Sequence, residues 1–307
     1  FSMELLVLNY HYFREVKYKN GIYPISEDEF IKQVEYLDSH YKIISQEELR
    51  EIVKSKKNYN DKFSLLTFDD GLKEQMKAFE ILKNKGLSGV FYVITDAIEN
   101  NICIDVHKIH HIRSLLNDLK LYDKLDKSFN ISGFNFNFNQ LKSQYKYDNL
   151  LSQKVKYFLN FILDSNDKHS FINELFTIYV DDESDFSKKL YMNIEDLKKL
   201  STSGMLGSHS ASHSPLSQMS DDLIKNNIHR SLNFFQNIGI SNIPSISYPY
   251  GGRSAVDERV AKISNDCGFE FGITMFRGVN SFEYISQNKM LLKRISCSDL
   301  QIEMDKK

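Results

Sequence analysis

Proline, cysteine and tryptophan are scarce in this sequence of 307 residues, which holds four, three and none of them. The three cysteines, Cys103, Cys267 and Cys297, are odd in number and lack any C-x-x-C spacing, which argues against a disulfide framework or a cysteine zinc site and fits a reducing compartment. Charge of one sign is also lacking: 39 Lys and Arg face 41 Asp and Glu, and no long basic stripe follows a phosphate backbone, so nucleic acid is not an expected partner. No apolar run approaches the roughly 20 residues that span a bilayer. The short run Leu5–Leu8 has neither a basic leader nor a small-residue cleavage site and reads as a strand. With Met3 taken as the natural start, a cytoplasmic location without a membrane span is expected. Few prolines, no internal repeat and no low-complexity linker leave no clean domain border, so residues 3–300 are read as one domain. A 41% hydrophobic and 26% charged composition is that of an ordinary globular chain.

What is present is a β-α-β rhythm. Met3 to Tyr12 reads as a buried strand with His11 at its C-terminal end. Ser26 with Glu29, and Ser45 with Glu48, are capping boxes that open helices. Phe63 to Phe68 is a second buried strand and runs into Asp69-Asp70-Gly71. A helix from about Glu74 to Lys85 and a strand from Gly89 to Ile94 follow. From about 96 to 185 the rhythm fails, and this Lys-, Asn-, Leu- and Phe-rich stretch reads as a largely helical insertion. The alternation resumes with a helix from Asn193, a short strand over Gly204–Ser208, a helix from Asp221, a strand over Ser245–Tyr248, a helix from Val256 and a strand over Phe271–Met275. Alternation of this kind implies an α/β fold with a parallel sheet, in which ligands collect beyond the carboxyl ends of the strands. His11, Asp69-Asp70, His209 and Tyr250 all lie at such ends.

Adjacent aspartates at a strand end diverge, so one can bind a metal while the other handles a proton; Asp-Asp-Gly is equally common turn chemistry. His209 and His213, four apart, would share one face of a helical turn and reach one metal. Two histidines and one carboxylate leave a coordination position open for water, which is the catalytic pattern. Such a metal lowers the pKa of water towards about 7 and polarises a carbonyl, and the second carboxylate could take the proton. From spacing alone, either aspartate could play either part. His107, His110 and His111 form a further cluster, expected as a solvated helix face.

Thr67-Phe68-Asp69-Asp70-Gly71, His209-Ser210-x-x-His213-Ser214 and Tyr248-Pro249-Tyr250-Gly251 together resemble the NodB-homology polysaccharide deacetylases, carbohydrate esterase family 4. The resemblance spans about Met3–Ile94 and Asn193–Asp299, and implies a distorted (β/α) barrel carrying the helical insertion. It also implies that Asp70, His209 and His213 hold a divalent metal, most commonly Zn²⁺, that Asp69 is the general base, and that the Tyr250 backbone N–H contributes to an oxyanion hole. The sequence departs from the family twice. Ser247 stands where an arginine usually orients the catalytic aspartate; Arg294, after Met290–Lys293, is the candidate replacement and is grouped with Tyr250 on the substrate side, with Arg253 second. A late Leu-x-His is absent, and position 297 is cysteine. An early Tyr-His, as in the biofilm-polysaccharide branch, is similar to Tyr10-His11, so His11 is the candidate acid. The expected substrate is an acetylated amino sugar of a bacterial glycan, a glycan precursor or a nucleotide sugar. The alternatives are an O-acetyl esterase on the same fold and a non-catalytic carbohydrate-binding protein. Stacking on a sugar would fall to Tyr and Phe, since there is no Trp.

Overall fold

The computed structural model describes residues 2–55 and 59–306. The chain divides into two compact units: Phe1–Glu15 with Pro24–Ile102 and Ser184–Lys307, and Val16–Tyr23 with Cys103–Glu183.

The first unit is a curled sheet of nine strands: β1 (Glu4–Tyr10), β2 (Lys42–Ile43), β3 (Lys62–Phe68), β4 (Val90–Val93), β5 (Leu206–Ser208), β6 (Ser245–Ser247), β7 (Phe271–Ile273), β8 (Asn280–Ser281) and β9 (Ile295–Ser296). Their order is β7-β6-β5-β4-β3-β1-β8, with β2 on β3 and β9 on β1; β8 alone pairs antiparallel. The register Leu8↔Leu66 and Tyr10↔Phe68 brings β1 and β3 to the same level, so His11 and Asp69 leave the sheet side by side. The segment before β9 closes the other side: Leu292 bridges Ile273, and Arg294 N–H donates to the Phe276 carbonyl at 2.8 Å. This is the distorted barrel that the motif resemblance implied. Within Met290–Lys293 only Leu292 makes a bridge, and Arg294 stands directly before β9.

The predicted helices form where caps and periodicity coincide. Both capping boxes are present, and the helix Glu27–His40 buries Phe30, Val34 and Leu37 on one face. At about 1.5–3 kcal/mol for each large side chain fully buried, that face fixes the helix to the sheet. Phe30 meets Tyr10 edge-on at 5.1 Å, and Phe68 stacks on Phe91 at 4.2 Å, so aromatic rings fill the barrel wall directly beneath the exits of β1 and β3. Among the described residues no helix is long and apolar enough to cross a membrane.

The second unit is helical. Its helices include Asp105–Leu115, Asp118–Phe129, Leu150–Tyr157 and Ser165–Tyr179, the last three capped by Asn117, Asn149 and Asp164. A buried Arg113–Asp118 pair, two bonds of 2.9 Å, also receives Ser152. The histidine cluster is not the solvated face expected: His107 is 1% exposed, and the His111 ring packs edge-on against Phe176 at 6.2 Å.

Candidate active site

Five strand-adjacent segments of the first unit supply the site. Asp70, after β3, has φ 82°, and Ser210, His213 and Tyr250 have φ 64°, 58° and 62°. Left-handed backbone is uncommon for residues with a side chain, and four of the six such residues described stand here. The His209–His213 loop is therefore not the helical turn expected from the spacing. Ser210 Oγ accepts from the His213 N–H at 3.1 Å and Asn227 Oδ1 from the Ala211 N–H at 2.9 Å, which turns both imidazoles to the same side.

Asp70, His209 and His213 are all buried, and one ligand atom from each lies within 4.8 Å of the others. Asp70 Oδ1 is 3.2 Å from His209 Nε2 and 3.5 Å from His213 Nε2. Tetrahedral zinc, with bonds of about 2.0–2.2 Å, has edges of about 3.4 Å. His209 Nδ1 donates to the Ser247 carbonyl at 2.6 Å, which directs the Nε2 lone pair at the Asp70 carboxylate. Two lone pairs facing each other need a cation between them. Burial opposes charge on His209, yet Asp69 and then Asp70 raise its pKa, so the donor set favours a positive charge here. These three residues fit a divalent metal.

Asp69 faces a different partner. The Arg294 guanidinium grips it with bonds of 3.0 Å to Oδ1 and 2.7 Å to Oδ2. The remaining donors of Arg294 go to the barrel wall, reaching the Thr274 carbonyl at 3.1 Å, Thr67 Oγ1 at 3.0 Å and Ser247 Oγ at 3.2 Å, so all five N–H groups are used. Burial alone would raise the Asp69 pKa, but Arg294, His209 and His11 together outweigh it and hold the carboxyl at about 2. Arg294 is fully buried. It sits behind Asp69 and presents no atom to a ligand, which corrects its grouping on the substrate side. Arg253 lies instead over the Phe276 ring at 4.3 Å.

His11 Nε2 is 3.9 Å from Asp70 Oδ2, and its side chain is 41% exposed, so it borders the site from the open side. Tyr250 is 40% exposed, with its ring 4.9 Å from that of His213. Cys297 begins the last helix and its thiol is pushed up to about 11 by burial, which leaves it inert. Sequence reasoning missed Ser247 as a partner of both His209 and Arg294, and missed Gln75, whose amide donates to the carbonyls of Asp69 and His11. A polar residue in the turn just after Asp-Asp-Gly was the only local signal for Gln75.

Residues 145–272 match the family described as polysaccharide deacetylase. No curated protein matches. Among solved structures, the deacetylase PplD of Streptococcus pyogenes, solved with acetate, superposes with a TM-score of 0.60 at 16% identity over 96% of this chain and 93% of its own. IcaB from Ammonifex degensii gives 0.57 at 16% over 96% and 94%, and the BpsB deacetylase domain of Bordetella bronchiseptica gives 0.54 at 15% over 95% of each. Identities this low speak for the fold alone, while the family match covers the His209–His213 and Tyr248–Gly251 loops. The fold is thus that of solved deacetylases, and residues 145–272 match the polysaccharide deacetylase family, both in agreement with the resemblance carried by the three motifs.

Proposed function

We propose that the protein is a metal-dependent hydrolase that removes the N-acetyl group from an amino sugar of a bacterial glycan, a glycan precursor or a nucleotide sugar. The observation that carries this reading is the buried Asp70, His209 and His213 donor set beside a separately charged, arginine-paired Asp69. A divalent metal held by the three, Zn²⁺ by their donor types, would lower the pKa of water to about 7 and polarise the acetyl carbonyl. Asp69 stays ionised throughout the neutral range because its pKa is about 2. Each of its oxygens keeps a lone pair beside the Arg294 bond and can orient and deprotonate the attacking water. The Tyr250 N–H is the donor proposed for the oxygen on which charge develops. His11, on the open side, gives its proton to the sugar nitrogen as the C–N bond breaks.

Acetate release from N-acetylated chito-oligosaccharides is the test. It should be abolished by chelation, restored by zinc, and lost in Asp69→Asn with metal content unchanged. Absence of acetate with zinc, cobalt, manganese and nickel alike would refute the reading, and release from acetyl esters alone would reassign the substrate.

A further inference from the structure

Two of the segments that supply the site are the exits of β1 and β3, and one side chain ties them together. Gln75 ends the short 3₁₀ turn Lys73–Gln75 that follows Asp69-Asp70-Gly71. Its side chain is fully buried, and its amide nitrogen donates one hydrogen to the His11 carbonyl at 3.0 Å and the other to the Asp69 carbonyl at 2.6 Å. The amide oxygen is buried with no hydrogen-bond partner among the described residues. An apolar residue of the same size would fill this space without that cost. The neighbouring Glu74 grips the same segment: it accepts from the Phe13 N–H at 2.8 Å and from Arg14 Nε at 3.0 Å. The turn is itself anchored, since the Met192 N–H donates to the Gly71 carbonyl at 2.9 Å.

Asp69 does not depend on this clamp for its aim. Its N–H bonds the Tyr10 carbonyl at 3.0 Å, and its carboxylate is fixed twice by Arg294. His11 has less to hold it, with a half-exposed ring whose nearest ion-pair partner is Asp70 at 3.9 Å.

We infer that Gln75 is a positioning residue for His11: its two-carbonyl clamp sets the distance of the imidazole from the metal and base carboxylates, and so governs protonation of the leaving nitrogen. This rests on the reading of His11 as proton donor. The consequence is selective for the leaving group. An amine must be protonated to depart, whereas the phenolate of an aryl ester leaves unaided.

The experiment compares acetate release from N-acetylated chito-oligosaccharides with hydrolysis of 4-nitrophenyl acetate by the zinc-loaded protein. Gln75→Leu should lower kcat on the amide roughly 10- to 100-fold, the scale of a misplaced group, with KM and zinc content unchanged. Its aryl-ester rate should stay within about threefold of the parent, which also shows that it folds. In a His11→Ala background, Gln75→Leu should add no further loss, because the group it positions is gone. Glu74→Gln, a milder change on the same segment, should show the same selectivity to a smaller degree. Equal losses on both probes, or full additivity with His11→Ala, would overturn the inference while leaving the deacetylase reading intact. A His11→Ala protein with undiminished amide turnover would remove the donor reading itself, and the inference with it.

Discussion

Replacing Arg294 by Met removes the counter-charge of Asp69 while roughly keeping volume, and the expected cost can be worked from the structure. Depression of the Asp69 pKa from 3.8 to about 2, despite complete burial, corresponds to about 2 kcal/mol of net stabilisation of the carboxylate by its surroundings. Losing the arginine removes most of this and leaves a buried charge without its partner, a change that typically costs about 3–5 kcal/mol. The sign with pH follows. A carboxyl depressed in the folded state contributes stability that is present above the ordinary pKa of 3.8 and is lost as pH falls towards 2. Urea denaturation followed by circular dichroism should therefore show Arg294→Met less stable than the parent by several kcal/mol at pH 7, with the gap narrowing at pH 3. Asp69→Asn/Arg294→Met should recover much of the loss, because both charges are gone. A single-variant cost under about 1 kcal/mol, or strict additivity in the cycle, would refute the claim that this pair is the electrostatic centre of the site.

Other outcomes are expected. Asp70→Ala and His209→Ala should abolish stoichiometric zinc by elemental analysis, and in the parent zinc at 100 times its Kd should add about 2.7 kcal/mol to unfolding stability. Gly71→Ala should cost about 1–3 kcal/mol in urea titrations, since φ is +66° there and the new Cβ would lie 3.0 Å from Val93 Cγ1. Ser247→Leu should unseat Arg294, which bonds the serine oxygen at 3.2 Å, and so lower kcat while His209 keeps its bond to the backbone carbonyl and zinc binding persists.

The local parts of this architecture were readable from the sequence. Strands β1, β3 and β4 announce themselves because each is buried on both faces and written as a continuous apolar run, and the helices because Ser26, Ser45 and Asn193 cap them. The Asp70, His209 and His213 cluster was readable too, as short motifs at strand ends that the fold brings together. Spacing misled only where it was asked for conformation. Histidines four positions apart suit a helix, but the loop instead takes left-handed steps at Ser210 and His213, held by serine and asparagine side chains, Ser210 within the loop and Asn227 from outside it.

What pattern could not supply is what links one strand end to another. Arg294 is 225 positions from Asp69, and the closure that brings them together rests on short pairings, the bridge at Leu292, the Arg294 N–H bond to Phe276 and β9 on β1, that no local pattern announces. Position 247 shows why a motif position can change while the site persists. Its carbonyl orients His209, a task independent of residue type, and its side chain needs only to be small enough to admit the guanidinium arriving from beside β9. An arginine at 247 and an arginine at 294 would compete for the same carboxylate in a space that holds one. The serine is therefore the complement of Arg294, and the two positions record a single choice of the side from which Asp69 receives its charge.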